Sequence, residues 1–420
     1  MGMTISEKIL AHAAGLKTVK AGDIVWAKVD KAMMDDLLGP RVEIAEKLKE
    51  LGADLWDRDK VVVISDHYTP PANAKQAEIV KFTRDWSNEY GVENYYEFVG
   101  PCHQIMIEEG HALPGHLVVG TDSHTCMYGA TGSFATGIGS TEMLGVLVTG
   151  EIWLKVPETI KVVWDGKLKD GVMAKDLILK TIGKIGHAGA TYRAVEHVGS
   201  TIENMIMDER MAITNMAVEM GAKTGIIPPD NITIEYLKSR GIKQDFKVFK
   251  SDQNAHYSET YHFKAEELNP VVACPHNVDN VHEIMDVEGV EIHQAYIGSC
   301  TGGRYYDLEQ AAKLLKGKKV AKGVRLLVSP ASKDVWDRCA KDGILSTLSE
   351  AGAIVLASSC GACLGLHSGA LAPGERSISS TNRNFQGRMG SKEAEVYLAS
   401  PISVAAAAIA GKIVDPRKYL

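Results

Sequence analysis

Short runs of β-branched and apolar residues alternate along the chain with longer stretches whose apolar positions recur every three or four residues. The runs predict strands, the stretches predict helices, and the alternation predicts stacked α/β layers. Five runs stand out because each ends directly in polar, reactive residues. KVVVI (Lys60–Ile64) leads into Ser65, Asp66 and His67, and HLVVG (His116–Gly120) into Thr121, Asp122, Ser123 and His124. QAYIG (Gln294–Gly298) leads into Ser299 and Cys300, AIVLA (Ala353–Ala357) into Ser358, Ser359 and Cys360, and RSISS (Arg376–Ser380) into Asn382, Arg383 and Asn384. Open α/β sheets bind ligands outside the carboxyl ends of their strands. Five such ends carrying His, Asp, Cys and Arg suggest convergence on one site.

The same patterning predicts two helices at the ends of the chain. Thr4 and Glu7 form a T-x-x-E capping box ahead of Ile5, Ile9 and Leu10, which share one helical face. This reading is preferred over the formal myristoylation match at Gly2 and Ser6. SVAAAAIAG (Ser403–Gly411) predicts a buried helix, too short to span a bilayer. The glycine-rich GATGSFATGIGSTE (Gly129–Glu142) fits neither a Walker A loop nor a dinucleotide fingerprint, and predicts close backbone packing or a turn before a helix. No short repeat stands out.

Composition narrows the class. A chain of 420 residues exceeds the usual size of a single core. A net charge of −7 argues against a general nucleic-acid binder, which would be basic. No charged-then-apolar leader opens the sequence, so a signal peptide is not expected and a reducing cytoplasm is the default. Seven widely spaced cysteines, an odd number, do not form a disulfide framework.

The cysteine pair Cys360-x-x-Cys363 alone fits a zinc site, a redox pair or part of an iron–sulfur site. With Cys300 it makes three thiols from two strand ends. Structural zinc and closed clusters want four ligands, whereas three thiolates on a four-iron cluster would leave one iron open to act as a Lewis acid. Cys126, Cys274 and Cys339 lack a local motif and read as buried packing cysteines; Cys102 lies beside His103. Asp66–His67 and Asp122-x-His124 pair an acid with a histidine, which fixes the tautomer and makes a usable general acid or base. Arg383 and Arg388, in NRNFQGR, suit a di- or tricarboxylate, because guanidinium grips carboxylate through two parallel hydrogen bonds.

GTDSHT (Gly120–Thr125), TNMAVEMGA (Thr214–Ala222), GSCTGGR (Gly298–Arg304), the CGAC pair and NRNFQGR together resemble the aconitase superfamily. Their order and spacing are similar to the separate large subunits of 3-isopropylmalate dehydratase and homoaconitase, and the likeness runs through AEVYLASPISVAAAAIAG (Ala394–Gly411). The resemblance implies three α/β domains, at residues 1–157, 158–275 and 276–420, around one [4Fe-4S] cluster with one exchangeable iron. It implies Cys300, Cys360 and Cys363 as cluster ligands, and Asp66–His67 as the pair that protonates a departing hydroxyl. It further implies His103, Asp122, His124 and Glu219 as the group handling water, and Asn215 and Asn382 as neighbours that tune the cluster. Arg383 and Arg388, with Ser123, are implied as substrate contacts.

Two departures bear on the substrate: Gly302 stands where such large subunits carry Asn, and Asp35, Asp36 and Leu38 stand where they tend to have a His-Asp pair and a Thr. The fourth, swivelling domain of full-length aconitases has no counterpart in the pattern. A small subunit is therefore expected to supply the base that lifts the carbon-bound proton, together with the side-group pocket. The expected reaction is reversible dehydration of a hydroxy di- or tricarboxylate, with 3-isopropylmalate first and homocitrate/homoaconitate, dimethylmalate and maleate/malate as alternatives. A non-catalytic iron–sulfur regulator that binds RNA is the rival from another class, disfavoured by the acidic charge and the retained acid/base set.

Overall fold

The computed structural model describes residues 2–420. They form two compact units. The first comprises residues up to Glu97, Cys102–Asp165 and Ala190–Phe263; the second comprises Phe98–Pro101, Gly166–Gly189 and Lys264–Leu420. Residues 166–189 and 264–275, inside the middle segment expected from sequence, thus pack with the second unit.

In the first unit, β1 (Ile24–Lys28) pairs antiparallel with a distant strand, while β2 (Lys31–Asp35), β3 (Val61–Ser65), β4 (Tyr95–Glu97), β5 (Leu117–Gly120) and β6 (Phe134–Gly137) form one sheet. Its order is β4-β3-β2-β5-β6 and every pair is parallel. β7 (Glu151–Lys155) is the partner of β1. A four-stranded sheet comes next, with β8 (Thr159–Asp165), β9 (Ala194–Val198), β10 (Thr224–Ile226) and β11 (Glu259–Lys264) in the order β10-β9-β8-β11.

The second unit is built on seven strands: β12 (Val271–Ala273), β13 (Val281–Glu283), β14 (Gln294–Ile297), β15 (Arg325–Val328), β16 (Ile354–Val355), β17 (Arg376–Ser379) and β18 (Glu395–Ala399). The five parallel strands run β16-β15-β14-β17-β18, with β12 and β13 added antiparallel at the β18 edge.

The five predicted strands are all present, shifted by a residue or so, with AIVLA reduced to Ile354–Val355. β3 is buried at every position, which a strand covered on both faces of a parallel sheet requires. The two five-strand parallel arrays share one topology. Each starts with its central strand, adds two strands on one side, then returns to add two on the other. The reversal falls between β2 and β5 in the first array and between β14 and β17 in the second. Such a switch point opens a crevice at the carboxyl ends of the strands. Four of the five polar strand ends lie at these two reversals or beside them, whereas Ser358–Cys360 follow the edge strand β16; together they belong to two sheets.

Both terminal helices form as expected. Thr4 caps Ile5–Ala13 with the reciprocal Glu7 bond in place. The alanine-rich helix Pro401–Ala410 is buried and packs on β14 and on the helix Tyr305–Leu315, where small side chains let backbones approach. The glycine-rich stretch contains β6 and leads into the helix Ser140–Thr149. At Gly129 a Cβ would lie 1.7 Å from the Gly225 carbonyl oxygen, so only glycine fits there. Among the described residues, no helix is long and apolar enough to cross a membrane.

Candidate active site

At the switch point of the first sheet, the ends of β2 and β3 bring four acidic or histidine side chains together, Asp35, Asp36, Asp66 and His67, and Thr121 joins them from the end of β5. Asp36, fully buried, accepts the backbone N–H groups of Asp66 (3.4 Å), His67 (3.0 Å) and Tyr68 (3.1 Å). It therefore shapes the loop that carries His67. Asp66 places Oδ1 at 2.8 Å from His67 Nδ1, and its Oδ2 accepts the Cys102 N–H at 2.6 Å. With Nδ1 committed to a carboxylate, Nε2 is the ring atom that can deliver a proton. Burial alone would lower the pKa of His67; Asp66, Asp36 and Asp35 override it and hold the pKa well above the usual histidine value. Asp35 accepts Thr121 Oγ1 at 3.0 Å across the switch point, and burial pushes its carboxyl up to about 6.

The second group lies after β5 and after the helix Met207–Asn215. Asp122 caps the turn Ser123–Thr131 by accepting the His124 N–H at 2.7 Å. Its Oδ1 is 3.0 Å from His103 Nε2 and 3.4 Å from His124 Nδ1. His124 Nε2 meets Glu219 Oε1 at 2.8 Å. Burial would raise the Asp122 pKa, but the two histidines hold it well below the usual carboxylate range. The result is a chain, His103–Asp122–His124–Glu219, along which a proton can be held or passed. Ser123 is half-buried at the start of the turn. Asn215 is fully buried, with Nδ2 at 3.3 Å from Met127 Sδ and its carbonyl accepting the Cys126 thiol at 3.3 Å. Donor atoms within 4.8 Å of one another could hold a cation at His103, Asp122 and His124, or at Asp35, Asp36 and His67; the hydrogen bonds just described account for both gatherings.

At the switch point of the second sheet, Cys300 follows β14 in the short helix Ser299–Gly302. Ser299 adopts φ +71°, a left-handed conformation uncommon outside glycine. Asn382, after β17, ties the loops together. Its Oδ1 accepts Ser299 Oγ (3.1 Å) and Thr301 Oγ1 (3.3 Å), and its Nδ2 reaches Cys300 Sγ at 3.7 Å. Cys363 Sγ lies 4.0 Å from Asn382 Oδ1 and 3.9 Å from Arg388 Nη2. Buried Tyr296 sees all three thiols: its phenol is pushed up by burial first, then by Cys363, Cys360 and Cys300. Burial likewise raises the Cys300 thiol, opposed by Arg304. Arg383 stands 5.9 Å from the Phe385 ring centre. Gly302 has no room for a side chain, because a Cβ would sit 2.3 Å from Ser380 Oγ.

Cys300, Cys360 and Cys363 are therefore gathered, in thiol form, around Tyr296 and Asn382. Three thiols from two loops, with an amide and a guanidinium directed at sulfur, fit an iron–sulfur cluster that keeps one iron without a thiolate. Of the packing cysteines, Cys126 and Cys339 are buried, whereas Cys274 is only half-buried. Two residues that sequence reading did not assign a role are central here. Asp36 was visible only within the departure from the family pattern at Asp35, Asp36 and Leu38, and Tyr296 only within the run QAYIG; neither pattern signals its contacts.

The family model for the aconitase family (aconitate hydratase) matches residues 7–290 and 280–411. The chain belongs to the aconitase family. Membership makes it a hydro-lyase enzyme and implies an iron–sulfur cluster, which the cysteine trio fits. Among curated aconitase-family relatives, the 3-isopropylmalate dehydratase large subunit 1 of Methanopyrus kandleri is 49% identical over 422 residues, covering 100% of both chains. A probable 3-isopropylmalate dehydratase large subunit of Methanothermobacter thermautotrophicus is 49% identical, covering 99% of each. A probable methanogen homoaconitase large subunit from the same organism is 46% identical, covering 99% of this chain and 98% of that one. The words "large subunit" imply, for those relatives, a small-subunit partner.

Proposed function

We propose that this chain is the cluster-bearing large subunit of a two-subunit 3-isopropylmalate dehydratase, interconverting hydroxy-acid isomers by dehydration and rehydration in leucine biosynthesis. The end-to-end identity of 49% to large subunits of that name carries the reading. Cys300, Cys360 and Cys363 hold a [4Fe-4S] cluster with one exchangeable iron, which when bound supplies a Lewis acid for the substrate's hydroxyl and carboxylate oxygens. His67, oriented through Nδ1 by Asp66, protonates the departing hydroxyl from Nε2. The chain His103–Asp122–His124–Glu219 holds the water and its proton for return at the neighbouring carbon. Arg383 and Arg388 bind substrate carboxylate, and Ser123 adds a polar contact. Asn382 and Asn215 set the polarity around the cluster. The enzyme works in the cytoplasm.

A small subunit supplies the base for the carbon-bound proton and the loop that judges the side group. Loss of a positioned base costs about 10²–10⁴-fold, so the large chain alone is nearly inactive. The test combines the reconstituted chain with its small subunit and offers 3-isopropylmalate, homocitrate, dimethylmalate and malate. Turnover of 3-isopropylmalate above the others supports the reading. Preference for homocitrate would instead favour the homoaconitase assignment, for which the relative at 46% identity is the specific ground.

A further inference from the structure

β1 and β7 form a two-stranded antiparallel ribbon, separate from the larger sheets of the first unit. Its residues alternate strictly. Val25, Ala27, Ile152 and Leu154 join the core of that unit, and the residues between them face outward. A strand that covers a core on one face is expected to be polar on the other. Here the register sets Trp26 opposite Trp153 on the outer face, with Ile24 opposite Lys155 and Lys28 opposite Glu151. Ile24 is 70% exposed, Trp26 65% and Trp153 56%. Among the described residues, neither tryptophan stacks on another aromatic ring, although the two are direct cross-strand neighbours. Side chains of this size and exposure leave an apolar patch on the order of 400 Å², and patches of that size on a monomer are often interaction sites.

Location and charge together indicate what covers it. Just after β1, Val29 N–H donates to Gly150 O at 2.9 Å and Asp30 N–H to Leu117 O at 2.9 Å, while Asp30 Oδ2 accepts the Leu117 N–H at 2.8 Å. β1 therefore ends at the amino ends of β2 and β5, about 15 Å of strand away from the carboxyl ends that lead to Asp36 and Asp122. The small subunit proposed above would complete the site at those carboxyl ends, which leaves the ribbon to another partner. The charges on the outer face are uncommitted. Among the described residues, Lys28, Glu151 and Lys155 make no ion pair within the chain, even though Lys28 and Glu151 are opposite one another. Glu151 and Lys155 flank Trp153 at equal distances along β7. A second ribbon, turned over by a two-fold axis running across the strands, would lay tryptophan on tryptophan. Each Glu151 would then meet the Lys155 of the other copy, and each Ile24 the aliphatic stem of the other Lys28. Such a face is complementary to itself, as a contact between identical subunits requires.

We propose that the outer face of this ribbon is a self-association surface, through which two copies of the chain pack Trp26 and Trp153 together with Glu151 of each against Lys155 of the other. Two such patches bury about 800 Å² of apolar surface, less than the ~1,200–2,000 Å² of stable complexes, so the dimer is weak, with a midpoint on the order of 10–100 µM. Sedimentation equilibrium of the full chain between about 1 and 200 µM tests it, and the parent should pass from monomer to dimer over that range. Trp26→Thr combined with Trp153→Thr keeps strand propensity and should stay monomeric throughout. Glu151→Lys makes the outer face wholly basic, whereas Lys28→Glu with Lys155→Glu makes it wholly acidic. Each of these should be monomeric alone, and an equimolar mixture of the two should dimerise at least as readily as the parent. Recovery on mixing would show that both variants are folded and that the contact lies on this face. A parent that stays monomeric, a dimer unaltered in the tryptophan variant or in Glu151→Lys, or a mixture that fails to associate would each overturn the proposal.

Discussion

Replacing Asp36 by Ala should unfasten the loop that presents His67 without touching the cysteines. Asp36 accepts two well-formed backbone hydrogen bonds, from His67 at 3.0 Å and Tyr68 at 3.1 Å, and a longer one from Asp66 at 3.4 Å. All four residues are buried. A buried N–H left without a partner costs about 1–3 kcal/mol, so losing the two shorter bonds costs the loop about 2–6 kcal/mol. The lower bound alone corresponds to about thirtyfold faster opening, at about 1.4 kcal/mol per factor of ten. Local hydrogen exchange is the appropriate assay, because a chain of two compact units need not unfold in one step. The amides of His67 and Tyr68 should exchange about thirtyfold faster or more in Asp36→Ala. Asp36→Asn, which keeps one acceptor oxygen, should show a smaller change. With the small subunit present, kcat should fall while the cluster absorbance stays the same. Protection of both amides within about threefold of the parent in Asp36→Ala would refute the reasoning, since that difference is under 1 kcal/mol.

The raised pKa of His67 makes a signed prediction about stability. Its contribution is complete below the unfolded value of 6.5 and disappears as pH rises through the higher folded value, so resistance to unfolding should decline with pH across that window and the decline should flatten in His67→Gln. Cys300→Ser and Cys363→Ser should each abolish the visible absorbance and labile sulfide of the reconstituted chain, whereas Cys339→Ser, in the apolar core, should retain both. Zinc without labile sulfide in the parent would defeat the cluster assignment. Arg383→Lys keeps the charge but loses the planar fork, and should impair turnover with an unchanged cluster spectrum; unaltered kcat and KM would remove Arg383 from substrate binding.

Many of the candidate site residues were legible before any folding was considered. A fully buried parallel strand is mostly apolar, so VVVI and AYI announce themselves, and the first polar residues after them begin the strand-end loops. That local rule was enough to single out His67, Asp122, Cys300 and Asn382. Capping has the same local character: Thr4 and Glu7 are three residues apart, within reach of a single helical turn. What adjacency could not convey was which distant loops meet. Asp36 joins residues about thirty positions away, Asn382 lies more than eighty positions from Cys300, and Glu219 is 95 positions from His124. The order of strands within a sheet creates these contacts, and the alternating pattern does not encode that order. The shared topology of the two parallel arrays was invisible for the same reason. The strand order recurs with different residues at each reversal, Asp and His in one and Cys and Asn in the other, so no repeat survives in the letters.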